Sequence, residues 1–136
     1  MGIAYVDTSC VAAIVFGEPG SVELAAELDG LDELRSSNLL EAELRAACKR
    51  EGKKKNLDLY LAQVAWIYPT RPLRKEFERL TEAGYIRGAD LWHLACALYL
   101  DPKADELAFA SLDRQQRDLA RRVGFKLLPA EPAPFV

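Results

Sequence analysis

The feature that most constrains this chain is an alternation of short apolar runs with longer stretches of helical spacing. Residues 3–6, 34–36, 106–110 and 125–128 read as strands. Residues 11–16, 21–28, 38 to about 50, 73–83, 89–100 and 113–123 carry helical patterns. Gly17-Glu18-Pro19-Gly20, Gly52, Gly84, Asp101-Pro102 and Gly124 punctuate them. Leu57, Tyr60, Leu61, Val64, Ile67 and Tyr68 repeat at helical spacing, but residues 65–69 fit a strand equally well, and periodicity does not decide. Strands separated by helices imply a parallel sheet covered on both faces, an α/β/α three-layer sandwich. Ligands of such sheets bind beyond the carboxyl ends of the strands, near the point where strand order reverses. Functional groups are therefore expected just after strands or at the starts of the following helices. Asp7 and Asp113 meet that condition.

A chain of 136 residues, half of them hydrophobic, suffices for one domain with one core. We assign it to residues 1–128 and read residues 129–136, with Pro129, Pro132 and Pro134, as an extended tail. No apolar run approaches the roughly 18 residues of a membrane span. The opening MGIAYVDTSC reads as a strand without a basic leader, so the expected compartment is the cytoplasm. Cys10, Cys48 and Cys96 are odd in number and widely spaced, which points to buried free thiols rather than disulfides or a zinc site. The net charge of −3 is unusual for a dedicated nucleic-acid binder. Two local clusters matter more: Lys49, Arg50, Lys53, Lys54 and Lys55, and Arg114, Arg117, Arg121, Arg122 and Lys126. Each could follow a phosphate backbone or simply solvate a helix face.

The chemistry-bearing candidates are carboxylates. On a wheel starting at Leu39, Glu43 falls at about 40°, between Ala46, Leu39, Ala47 and Leu40, with Glu41, Arg45 and Lys49 opposite. A carboxylate on a core-facing stripe is costly unless it is paired or bound to a cation. Arg50 is one possible partner. Asp90 opens the nearly all-apolar helix 89–100, where it could cap the N-terminus or act as a ligand. His93, three residues on, is the only histidine and reads as a core residue. Asp7 and Asp113 each fit a helix cap or a ligand, and Asp118 reads as a surface ion-pair residue. Brought together, Asp7, Glu43, Asp90 and Asp113 would repel one another, and a bound cation would make the cluster tolerable. All-oxygen donors suit Mg²⁺ or Mn²⁺, a standard means of hydrolysing phosphodiesters.

The order of these residues resembles the PIN-domain family, in particular its small toxin branch, the VapC-like ribonucleases. The resemblance spans roughly residues 3–128. It rests on a strand ending in Asp7-Thr8-Ser9, on Glu43-Leu44-Arg45 early in a helix, on Asp90-Leu91-Trp92-His93-Leu94-Ala95, and on Ser111-Leu112-Asp113 after a strand. The Trp after Asp90, the Ser at 111 and the Pro-rich tail depart mildly from the family pattern. The resemblance implies an α/β/α sandwich and Mg²⁺- or Mn²⁺-dependent endoribonuclease activity. It also implies frequent homodimers and a small antitoxin partner. Thr8, Ser9 and Ser111 are then supporting hydroxyls, and Lys49, Arg50, Lys53, Arg114 and Arg117 candidate RNA contacts. Val11, Ile14, Val15 and Phe16 fit a dimer surface or the core.

Three other readings compete. A PIN-like nuclease of RNA processing or DNA structure cleavage would carry the same residues. A receiver-like or haloacid-dehalogenase-like module would need further acidic residues beside Asp7, or a Lys near Ser111, and has neither. A non-catalytic module would have no need of four clustered carboxylates.

Overall fold

The computed structural model describes residues 2–53 and 57–130. Five strands, β1 (Ile3–Val6), β2 (Glu33–Ser37), β3 (Val64–Ile67), β4 (Leu107–Ala110) and β5 (Lys126–Leu128), form one sheet in the order β3-β2-β1-β4-β5. Every pairing is parallel. The helices are α1 (Thr8–Val15), α2 (Ser21–Asp29), α3 (Leu39–Arg50), α4 (Leu57–Leu61), α5 (Arg74–Ala83), α6 (Gly88–Leu100) and α7 (Arg114–Val123).

Side-chain alternation sorts the sheet into two faces. Tyr5, Phe109 and Leu127 are in register and pack with Leu80, Leu94, Leu98 and Leu119 of α5, α6 and α7. The Tyr5 and Phe109 rings stack at 5.6 Å. Val6, Ala110 and Leu128 face the other way, toward Cys10, Val15, Leu24, Leu40, Leu44 and Leu61 of α1 to α4. Two covered faces explain why β1 and β4, two of the inner strands, read as continuous apolar runs. The expected three-layer sandwich is the observed fold.

Several local expectations are corrected. Of the helix and strand left open for residues 65–69, the strand is observed, with shifted bounds: α4 ends at Leu61 and β3 runs Val64–Ile67. β4 begins at Leu107, the first of its residues paired with β1, opposite Ile3. β5 begins at Lys126 because the Phe125 N–H closes the end of α7 on Ala120 O. Asn38 precedes α3 but makes no side-chain cap. The buried stripe of α3 is Leu40, Leu44 and Cys48, whereas Ala46 is exposed. Glu43 thus stands on the flank of the stripe, about 100° from its centre, rather than in its middle. All three cysteines are buried and free. Val11 and Val15 belong to the core, while Ile14 and Phe16 are only partly covered. Lys54, Lys55 and residues 131–136 of the tail lie outside the described residues. Among the described residues, no helix is long and apolar enough to cross a membrane.

Candidate active site

From β1 the chain steps to β2 and β3 on one side, then returns to place β4 and β5 on the other. Strand order therefore reverses between β1 and β4, and the crevice of a parallel sheet opens there, beyond the carboxyl ends. Asp7 and Ser111 leave these two strands side by side. The Asp7 N–H reaches Ala110 O at 2.9 Å, and the Ser111 N–H reaches Leu128 O at 3.1 Å.

Asp7 caps α1 at the carboxyl end of β1. Its Oδ2 accepts from the Ser9 N–H at 3.2 Å and the Ser9 hydroxyl at 2.7 Å. Ser9 Oγ accepts in turn from the Leu112 N–H at 2.9 Å, tying the two loops together. Asp113 caps α7, with Oδ1 accepting from the Gln116 N–H at 2.8 Å, and remains exposed. Ser111 is fully buried; its hydroxyl donates to Gln116 Oε1 at 2.7 Å and accepts from the Asp113 N–H at 3.0 Å. The Gln116 amide continues to the backbone carbonyl of Asp90 at 3.1 Å. One chain of hydrogen bonds thus links the β4–α7 loop to α6.

Asp90 is not the cap of α6. That helix begins at Gly88, and Asp90 lies in its first turn with its carboxylate half-buried. Burial, then the charges of Asp7, Asp113 and Glu43, push its pKa up to about 6, against a partial offset from His93. Asp7, Glu43 and Asp113 thus lie within electrostatic reach of Asp90.

Glu43 is not paired with Arg50, which lies exposed beside Glu51 at 3.4 Å. Its Oε1 accepts from the Thr8 hydroxyl at 2.6 Å and pairs with His93 Nε2 at 3.0 Å. The His93 hydrogen bond, helped by Thr8, outweighs partial burial and holds the carboxyl below its usual range. His93 is fully buried but is not a bystander of the core. Its Nε2 also lies 3.7 Å from Asp7 Oδ1, and its Nδ1 lies 2.7 Å from the Tyr5 hydroxyl.

The basic candidates divide. Lys49, Arg50 and Arg114 are exposed, and Lys53 sits over the Phe16 ring at 5.2 Å. Arg117 is a correction: it is buried, and its guanidinium donates to Ser111 O at 2.8 Å, Leu128 O at 3.2 Å and Pro129 O at 2.6 Å. It braces the carboxyl ends of β4 and β5 and has no surface to offer RNA. Asp118 forms the expected surface pair with Arg121 at 3.1 Å.

Gln116, His93 and Tyr5 join this hydrogen-bond network without being marked as candidates by the sequence pattern. Gln116 lies three positions after the capping Asp113, the spacing of a capping box, and three and four before Leu119 and Ala120, so its inward face was detectable.

The donor set is carboxylate throughout, which suits a hard divalent cation better than zinc or copper. Among the described residues, no three acidic, histidine or cysteine side chains are gathered closely enough to hold an ion as they stand. Burial first, and then the charges of Asp7, Asp113 and Glu43, raise Asp90, a cost that a divalent cation would offset.

A family model described as PIN domain matches residues 4–122. The chain belongs to the PIN domain family. Two curated relatives from Mycobacterium tuberculosis, Ribonuclease VapC45 of strain CDC 1551 and Ribonuclease VapC49 of strain H37Rv, are each 31% identical to it. Each alignment covers 98% of this chain and 100% of the relative, which makes this a VapC-like PIN domain. Its fold is that of a chain in the crystal structure of VapBC2 from Rickettsia felis bound to a promoter DNA fragment. The TM-score is 0.62 at 16% identity, over 92% of this PIN domain and 96% of that chain.

Proposed function

We propose that this PIN domain is a Mg²⁺- or Mn²⁺-dependent endoribonuclease that acts in the cytoplasm as the toxin of a toxin–antitoxin pair. The observation that carries the chemistry is the shared field at Asp90, pushed up to about 6 by burial and by three other carboxylates at the strand-order reversal. Such a cluster is costly alone and is relieved by a cation. Asp7, Glu43, Asp90 and Asp113 would hold the ion. When bound, it supplies Lewis-acid charge that makes water nucleophilic near neutral pH and offsets charge on the departing oxygen.

The remaining groups position these four. The hydroxyls of Thr8 and Ser9 donate to Glu43 and Asp7, so they orient carboxylates rather than contact phosphate. Ser111 fixes the Asp113 backbone and, through Gln116, the start of α6. Exposed Lys49, Arg50, Lys53 and Arg114 would guide the RNA backbone by charge. A small antitoxin and a second copy of the chain are the proposed protein partners. The names of the M. tuberculosis relatives and the VapBC2 neighbour support the RNA substrate and the antitoxin.

Mapping new RNA ends in total RNA, with wild type against Asp7→Asn, tests the reading. Discrete cuts that require Mg²⁺ or Mn²⁺ and vanish in the variant are expected. Cuts that persist in Asp7→Asn overturn it.

A further inference from the structure

We propose that Tyr5 and His93 form a one-way hydrogen-bond relay that holds the Glu43 carboxylate for metal binding, making His93 a positioning residue of the site. The inference rests on the divalent-metal reading of the four carboxylates.

The direction of the relay follows from counting protons. The Tyr5 hydroxyl accepts from the Ser37 N–H at 3.2 Å and lies 2.7 Å from His93 Nδ1. Its own single proton needs an acceptor. The buried Ser36 hydroxyl makes no hydrogen bond of full geometry, and its weaker contact with Tyr5 favours the phenolate, so it acts as a donor and does not take that proton. The Ser37 hydroxyl, which accepts from Trp92 Nε1 at 3.1 Å, acts on Tyr5 as a donor, since it favours the phenolate rather than the phenol. The nearby Cys96 thiol is a weak acceptor beside a ring nitrogen. The Tyr5 proton therefore goes to Nδ1, which must be unprotonated to receive it.

The other end of the ring gives the same answer independently. Nε2 faces Glu43 Oε1 at 3.0 Å, Thr8 Oγ1 at 3.3 Å and Asp7 Oδ1 at 3.7 Å. Thr8 donates its only proton to Glu43 at 2.6 Å, so it turns a lone pair toward Nε2. Everything around Nε2 is an acceptor, and a bare Nε2 there would place lone pairs against carboxylate oxygens. Nε2 carries the proton and donates it to Glu43.

The ring is held in that orientation. It is fully buried and packs edge-on against Tyr5, with centroids 5.7 Å apart. Tyr5 is itself clamped by stacking on Phe109. The consequence for Glu43 is specific: Oε1 takes two hydrogen bonds, from Thr8 and His93, and the carboxylate is locked with Oε2 left for an ion. Such outer partners typically change metal affinity by about 10- to 100-fold when removed.

The test uses the full, tag-free chain, in which His93 is the only histidine. A long-range ¹H–¹⁵N spectrum at neutral pH therefore shows one imidazole. The wild type is expected to show Nε2 protonated and Nδ1 bare. Tyr5→Phe keeps the stacked ring but removes the donor to Nδ1; it is expected to mix the two tautomers and weaken Mn²⁺ binding about tenfold by calorimetry. His93→Leu should lose more affinity than His93→Gln, whose amide both accepts and donates. An Nδ1-protonated wild type overturns the relay. So do variants that bind Mn²⁺ as tightly as a wild type that binds it. A wild type with no Mn²⁺ affinity overturns the metal site itself and the inference with it. Should a variant fail to fold, the wild-type tautomer still decides the direction.

Discussion

Asp90→Asn is expected to make the ion-free protein more stable while abolishing cleavage. The Asp90 carboxylate, half-buried and facing Asp7, Asp113 and Glu43, titrates at about 6 instead of the ordinary 3.8. A carboxyl raised in the folded state favours folding most below about pH 4 and loses that contribution as pH rises through about 6. Above that, the folded state carries a charge it disfavours. At about 1.4 kcal/mol per tenfold, the full difference is roughly 3 kcal/mol. Solvent screening of a group only half-buried brings it to roughly 1.5 kcal/mol. For a domain of this length that is a rise of about 5 °C in melting temperature. Asparagine is nearly isosteric, and Gln116 bonds the Asp90 backbone carbonyl rather than the carboxylate, so that link survives. Thermal unfolding in chelator at pH 7.5 should show the gain, and the gap should close near pH 4. Added Mn²⁺ should raise the wild type and leave the variant unmoved. A variant less stable than wild type in chelator, or one that gains as much from Mn²⁺, refutes the reasoning.

Other outcomes follow from the same geometry. Asp101 accepts the N–H groups of Glu106 and Leu107, both at 2.8 Å. Asp101→Ala should cost roughly 2–4 kcal/mol in urea unfolding, because two amides lose their acceptor. Burial works to raise the Asp101 carboxyl, but backbone N–H groups from Leu107, Glu106, Asp105 and Ala104 together hold it below its usual range. Its contribution is therefore present at neutral pH and lost as pH falls through that lowered value, and the stability gap to the variant should narrow in acid. Arg117→Ala should destabilise by roughly 2–4 kcal/mol, since the carbonyls of Ser111 and Pro129 lose the guanidinium and Leu128 O keeps only the Ser111 N–H. Arg114→Ala should leave stability unchanged and weaken RNA binding, with the slope of log affinity against log salt reduced by about one. If Arg117→Ala alone showed the salt effect, the surface reading of that arginine would return. Gln116→Leu should lower kcat more than it changes KM, since Gln116 joins Ser111 to α6 without facing solvent.

How far the sequence reveals the site depends on how many elements each residue needs. Asp7 and Asp113 stand at strand ends, and a parallel α/β alternation already marks those positions. The structure shows both as helix caps, a role compatible in space with the proposed metal-binding one. Glu43 was flagged by a helical wheel with the wrong centre. Ala46 and Ala47 are too small to dictate which face is buried, and the true stripe of Leu40, Leu44 and Cys48 became clear only against α1 and the sheet. His93 reads as core because its partners come from β1, α1 and α3, none of which local periodicity can bring together. Arg117 misled because cationic residues usually mark surface. Here α7 turns Arg117 toward the ends of β4 and β5, whose three carbonyls a single guanidinium reaches together.

The central claim is that Asp7, Glu43, Asp90 and Asp113 act as one divalent-metal site for RNA hydrolysis. Initial rates of RNA cleavage against Mg²⁺ concentration test it most directly, for wild type and for Asp7→Asn, Glu43→Gln, Asp90→Asn and Asp113→Asn. The account predicts no cleavage in chelator, saturable activation of the wild type by the ion, and a loss of roughly 100-fold or more in every variant. Wild-type cleavage that continues in chelator, or an Asp7→Asn protein that cleaves at the wild-type rate, would contradict it.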